Sequence, residues 1–174
     1  MNMQIELISA SELADESFNI VINDLKSIET YRVEMFLSDY YCINPPMRLA
    51  HDVLWKSTAT FVSDTNGIIN ISQTPSCSGS YEGISTMGLF FNAKPLTNKR
   101  KKLPNSLSKI PLLDHFFVGI KIMQGNTVIA ERTFTRHYMS SQISHQDIYG
   151  KHFQGRLFYD KKAIKTPSID YCER

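Results

Sequence analysis

The segment FFVGIKIMQGNTVIAERTFT, residues 116–135, decides the fold. Apolar residues at alternate positions on both sides of Gln124-Gly125-Asn126 mark two strands, each with one face in a core. With a three-residue loop there, Ile122 lies opposite Val128, Ile120 opposite Ala130 and Phe116 opposite Phe134. Only Arg132, opposite Val118, is then polar on that face. A two-residue loop at Gly125-Asn126 would set Ile120 against Glu131 and Val118 against Thr133. A slip of one residue swaps faces, so the three-residue loop is expected.

The same period of two recurs outward from this hairpin. Phe18, Ile20 and Ile22 share one face, as do Tyr31, Val33, Met35 and Leu37 against Arg32, Glu34 and Ser38, with Phe36 the apolar exception. Trp55, Ser57, Ala59 and Phe61 stand together against Lys56, Thr58 and Thr60. Asp64-Thr65-Asn66-Gly67 reads as a hairpin-type turn into Ile68-Ile69-Asn70-Ile71. Residues 9–16 allow one helical turn capped by Ser9 or Ser11. Many short strands without long helices predict an all-β protein built as a two-sheet sandwich. Pro45-Pro46 and the polar stretch from Lys94 to Pro111 mark linkers, and the charged tail after Phe158 has no periodicity.

Composition sets bounds on function. A chain of 174 residues with 42% hydrophobic and 21% charged residues suits one globular domain. A formal charge of +2 gives no reason to expect a nucleic-acid partner. No run approaches the roughly 20 apolar residues of a membrane helix. The N-terminus lacks a basic region and reads as no signal peptide. Cys42, Cys77 and Cys172 are odd in number and lack ligand spacing, so reduced thiols in the cytoplasm are expected, with no metal and no cofactor.

Three motifs bear on chemistry. In GSYEGISTMGLFF, residues 79–91, the spacing of Gly79, Gly83 and Gly88 matches neither a dinucleotide fingerprint nor a phosphate loop, and Leu89-Phe90-Phe91 reads as strand. The glycines are expected to serve positive φ or close backbone approach, around Ser80, Tyr81, Met87 and Leu89. Cys77 and Ser78 offer a nucleophile without a base or an elbow, which makes catalysis by this chain alone the weakest reading. The run Lys99-Arg100-Lys101-Lys102 is a solvated loop or a phosphate contact. Asp15, Glu16 and Asp24 have no acid–base spacing, and Trp55 reads as a core aromatic.

GSYEGISTMGLFF also resembles the GSY-x-G-x-x-x-MGL segment of the N-terminal domain of acyl-CoA thioesterases, shared with bile acid-CoA:amino acid N-acyltransferases. Trp55-x-Ser57-x-Ala59-x-Phe61 is similar to that family's W-x-S-x-A-x-F pattern. Gly155-x-Leu157-Phe158 resembles the GxLF segment where the family passes into its second domain. Ser85-Thr86 before Met87 and Tyr159-Asp160 after Phe158 depart from the family pattern. The resemblance implies an immunoglobulin-like antiparallel β-sandwich of about seven strands over residues 1–142. Residues 143–174 would connect it to an α/β-hydrolase domain in cis, which carries the catalytic residues and takes acyl-CoA. This chain would be a noncatalytic accessory domain, with self-association when isolated; the rival is a stand-alone β-sandwich module binding a ligand or protein.

Overall fold

The structure is a computed structural model that describes residues 3–38, 40, 53–96 and 114–162. These fall into two compact units, divided between Tyr138 and Met139.

The first unit is an antiparallel sandwich. One sheet has the order β1-β2-β5, from β1 (Gln4–Ser9), β2 (Phe18–Asn23) and β5 (Ile69–Asn70). The other has the order β4-β3-β8-β9, from β3 (Thr30–Ser38), β4 (Trp55–Val62), β8 (His115–Gln124) and β9 (Thr127–His137). These seven strands, three facing four with crossovers between sheets, form an immunoglobulin-like arrangement. Two-residue strands, β6 (Ser78–Gly79) and β7 (Lys94–Pro95), pair with successive parts of the outer edge of β4. The core lies between the sheets. Ile5, Phe18, Ile20 and Ile22 from one meet Tyr31, Val33, Met35, Leu37, Ala59, Phe61, Phe116, Val118, Ile120 and Ile122 from the other. Each large side chain so buried is worth about 1.5–3 kcal/mol of transfer free energy.

The faces of β2, β3 and β4 are those read from the sequence, but four local expectations are corrected. The β8–β9 turn has two residues, Gly125 and Asn126, with Gly125 at φ +57 and Asn126 outside the left-handed region, the pattern of a type II′ turn. A bulge comes next: Met123 pairs with Val128, but Ile122 pairs with Ala130, leaving Ile129 as the extra residue. The register beyond it is Ile120↔Arg132, Val118↔Phe134 and Phe116↔Arg136. A turn one residue shorter than expected and a bulge of one residue together restore the inward face.

The turn at Asp64–Gly67 does not make a hairpin. It carries the chain from β4 in one sheet to β5 in the other, with Asp64 Oδ1 accepting from the amides of Asn66 and Ile68, each at 2.8 Å. Residues 9–16 hold bends and a turn instead of a helix; Leu13 forms a parallel bridge to His137 across the side of the sandwich. The stretch after Gly88 is a single helical turn, α1 (Gly88–Phe91), not a strand. Successive residues of a helix diverge by about 100°. Leu89 therefore enters the core, Phe90 meets an aromatic cluster and Phe91 faces solvent.

The second unit contains the antiparallel hairpin of β10 (Ile143–Tyr149) and β11 (Gln154–Asp160). Asp147 accepts from Arg156 Nε at 2.6 Å and Nη2 at 3.2 Å, a forked pair that holds the hairpin register. Arg156 correspondingly holds the Asp147 carboxyl below the usual carboxylate range.

Candidate functional site

The site grows from the outer edge of β4, where β6 and β7 pair. The short strand β6 sets Gly79 opposite Ala59, and Gly79 has φ +123. A Cβ there would lie 2.4 Å from the Thr58 carbonyl oxygen, so both conformation and space call for glycine. Ser80 extends the ladder by one step with a side chain. Its amide donates to Thr58 O at 2.6 Å, and its Oγ accepts from the Thr58 amide at 3.0 Å. The loop closes through two amide–carbonyl bonds between Ser76 and Gly83, each 2.9 Å. Buried Ser76 donates its hydroxyl to Ser78 O and Tyr81 O.

Tyr81 then lies across the start of α1. A Cβ on Gly88 would come within 2.5 Å of its ring, so Gly88 is glycine because the ring occupies its side-chain space. Burial pushes the Tyr81 phenol up to about 12. Met87 Sδ accepts from the Phe18 amide at 3.3 Å, tying the turn to β2. Phe90 packs edge-on against Phe18 and Tyr40, and Tyr40 in turn against Trp55 and Phe116. Tyr138, the last residue of the first unit, lies 5.2 Å from Phe116 between ring centroids. The ends of β3 and β9 and the starts of β2, β4 and β8 converge here, so this is one pole of the sandwich.

Apolar groups remain on the surface of this region. Phe91 is 76% exposed, Ile84 61% and Leu96 53%. Leu96 donates its amide to Leu54 O at 2.9 Å, which sets those two exposed leucines side by side.

Of the residues singled out in the sequence, Gly79, Ser80, Tyr81, Gly83, Met87, Gly88, Leu89 and Trp55 come together in this loop and pole. Gly155, Leu157 and Phe158 are on β11 in the second unit. Lys99, Arg100, Lys101 and Lys102 lie outside the described residues. Cys77 is an exposed free thiol, and among the described residues no histidine or carboxylate is hydrogen-bonded to its sulfur or to Ser78 Oγ. Among the described residues there is also no group of three metal-ligating side chains placed to hold a metal, and no helix long and apolar enough to cross a membrane.

Sequence reasoning missed Arg136. It is 1% exposed on the inward face of β9. Its guanidinium donates to Ser9 Oγ (2.9 Å), Ser11 O (2.8 Å), Glu16 O (2.7 Å) and Leu13 O, and lies over the Phe18 ring. Desolvation lowers its pKa, while Glu12, Glu16 and Asp15 pull the other way. Arg132, four positions earlier on the same face, donates to Ile5 O at 2.6 Å. Both arginines therefore reach across the side of the sandwich to β1 and the segment after it. The available signal was their shared parity with Phe134.

Comparison with known families places this architecture. The family model for the acyl-CoA thioester hydrolase/BAAT N-terminal region matches residues 15–149. The chain belongs to that family: it is an N-terminal region of the kind found in acyl-CoA thioester hydrolases and acyltransferases. No curated protein matched the chain.

Proposed function

We propose that this chain is the noncatalytic N-terminal accessory domain of an acyl-CoA thioesterase/acyltransferase-like protein. It packs on an α/β-hydrolase domain in cis and shapes the entrance through which that domain takes acyl-CoA. The observation that carries this reading is the set of exposed apolar side chains, Phe91, Leu96 and Leu54, that follow or flank a loop tied by the Ser76–Gly83 and Ser80–Thr58 hydrogen bonds. Apolar side chains left in water beside a hydrogen-bonded loop fit a surface that another domain covers. The α1 turn and the aromatic pole behind it provide the wall, and neither supplies a nucleophile. The reading places the protein in the cytoplasm, with Cys77 a reduced thiol outside the chemistry.

An antibody against this chain, used on the source cell, tests the proposal. A native product longer by roughly 200–300 residues, a hydrolase-sized domain, supports it. That product should hydrolyse or transfer acyl groups from coenzyme A, and Phe91→Ser should raise KM for long acyl chains more than it lowers kcat. A native product of 174 residues without thioester chemistry would refute it.

A further inference from the structure

Two of the five histidines stand directly opposite each other. His115 opens β8, His137 closes β9, and the two are Cα partners. The next pair outward, Asp114 and Tyr138, is joined by a bond from the Tyr138 amide to Asp114 O at 2.8 Å. Antiparallel pairs alternate between bonded and non-bonded positions, so His115 and His137 form a non-bonded pair, in which side chains come closest. The His137 amide accordingly points away from β8 and donates to Glu12 O at 2.8 Å. The two side chains project from the same face and are 37% and 41% exposed.

Each imidazole has a carboxylate at one nitrogen. Asp114 Oδ1 accepts from His115 Nδ1, which leaves the lone pair of the neutral ring on Nε2. The Phe117 ring packs edge-on against the same imidazole, 5.0 Å away between centroids. His137 Nε2 faces Glu12 Oε2 at 3.8 Å, and the amide bond to Glu12 keeps that residue in place. A histidine that ligates a metal almost always donates its other N–H to a carboxylate, carbonyl or water, which fixes the tautomer and the ring orientation. Here two adjacent histidines are placed in that way with carboxylates. Imidazole nitrogens lie about 2.0–2.1 Å from zinc, which sets two rings on one tetrahedral ion roughly 5–6 Å apart between centroids. The His115 and His137 centroids are 5.9 Å apart, with the planes tilted by 58°. Two imidazolium rings would repel across this pair, as like charges directly opposite do. An ion shared by two neutral rings removes that cost.

We propose that His115 and His137 chelate a divalent transition ion of the class that prefers imidazole, zinc or copper, through His115 Nε2 and His137 Nδ1. Asp114 and Glu12 orient the rings without touching the ion, and water completes the coordination. Among the described residues no third ligand joins the pair, so the ion is held reversibly and not as a fixed part of the fold. It joins the start of β8 to the end of β9 and, through Glu12, to the segment that follows β1. The site needs nothing from a catalytic domain, so it and the proposed function stand or fall separately.

Zinc titration of the 174-residue chain, followed by ring-nitrogen NMR and by competition with a chromophoric chelator, tests the assignment. Zinc should shift His115 Nε2 and His137 Nδ1 and leave His145 and His152 unchanged. Asp114→Asn or Glu12→Gln should weaken binding by about 10-fold, the lower end of the effect of a lost orienting carboxylate. His115→Gln or His137→Gln should weaken it further, since a single nitrogen cannot chelate. Both histidines are partly exposed, so without zinc each glutamine variant should melt as the wild type does. Zinc should raise the melting temperature of the wild-type chain and not that of the glutamine variants. Magnesium, which takes oxygen ligands, should not displace zinc.

Four results overturn the proposal. Zinc that shifts other imidazoles or a thiol but not this pair places the ion elsewhere. Binding unchanged by either glutamine substitution removes the chelate. Displacement by magnesium leaves only an acidic surface. No shift with zinc at millimolar concentration leaves a pair of histidines that bind protons alone.

Discussion

At Gly88 the issue is space, since its φ is outside the left-handed region and any residue could adopt its backbone. The Tyr81 ring fills the place of a Cβ. Gly88→Ala should destabilise the fold by about 1–3 kcal/mol in denaturant titration, the usual cost of overpacking. In a Tyr81→Ala background the same change should cost almost nothing; an undiminished cost there would reject the contact as the cause. Tyr81 also gives a pH signature. Its folded pKa is raised to about 12 from the ordinary 10.0, so the proton is held more tightly in the folded state. Its contribution is therefore complete below pH 10 and is lost as pH rises from 10 to 12. Tyr81→Phe should flatten the alkaline decline in stability over that window, and a tyrosinate absorbance transition near pH 12 should disappear with it. Arg136 acts at the same level. Four groups accept from one guanidinium, so Arg136→Ala leaves buried acceptors without donors. A loss of about 3–5 kcal/mol is expected by thermal or chemical unfolding. Arg136→Lys should recover only a minor part, because an ammonium cannot span the same fork.

The β8–β9 hairpin shows at the level of the element what alternation can and cannot specify. Parity was legible: Phe116, Val118, Ile120 and Ile122 point inward, in agreement with their spacing. The partners were not, because alternation is blind to a shift of two residues and to a bulge. The extra residue can be placed experimentally. Deleting Ile129 leaves Ile122↔Ala130 through Phe116↔Arg136 unchanged and straightens the ladder. The variant should fold, with a loss of about 1–2 kcal/mol from the burial that Ile129 gives up. Deleting Thr133 instead turns Phe134 and Arg136 onto opposite faces from those they occupy, and that variant should not fold. Circular dichroism and cooperative melting distinguish the two, and equal behaviour would disprove the bulge assignment. A similar limit explains α1. Leu89-Phe90-Phe91 is an unbroken apolar run too short to show a period, so strand and helical turn were indistinguishable until the Tyr81 contact and the Met87 bond to Phe18 set the direction. The strand β1 lay beyond the alternation traced in the sequence, and its partner Arg132 carried no local mark of the bond to Ile5.

For the whole molecule, the distinction is between surface that holds the sandwich together and surface left for something else. The ordered motifs around Trp55 and GSYEGISTMGLFF were readable as a family pattern, and the family match over residues 15–149 agrees with them. What they present outward was not readable, since Phe91 and Leu89 look alike in sequence and only the helical turn sends one out and the other in. Phe91 and Leu96 contribute little to the sandwich core, because most of each side chain is already in water. Replacing both with serine should therefore leave the melting temperature within about 2 °C, as expected of surface changes smaller than about 0.5 kcal/mol. It should nonetheless change how molecules meet. An isolated 174-residue chain with this rim uncovered should associate with itself, giving sedimentation coefficients that rise with concentration, and the double serine variant should sediment as a monomer across the same range. If the wild-type chain is monomeric at high concentration, the rim is not adhesive and the argument that another domain covers it fails. If association persists in the serine variant, the adhesive surface lies elsewhere in the chain and the rim is not what another domain covers.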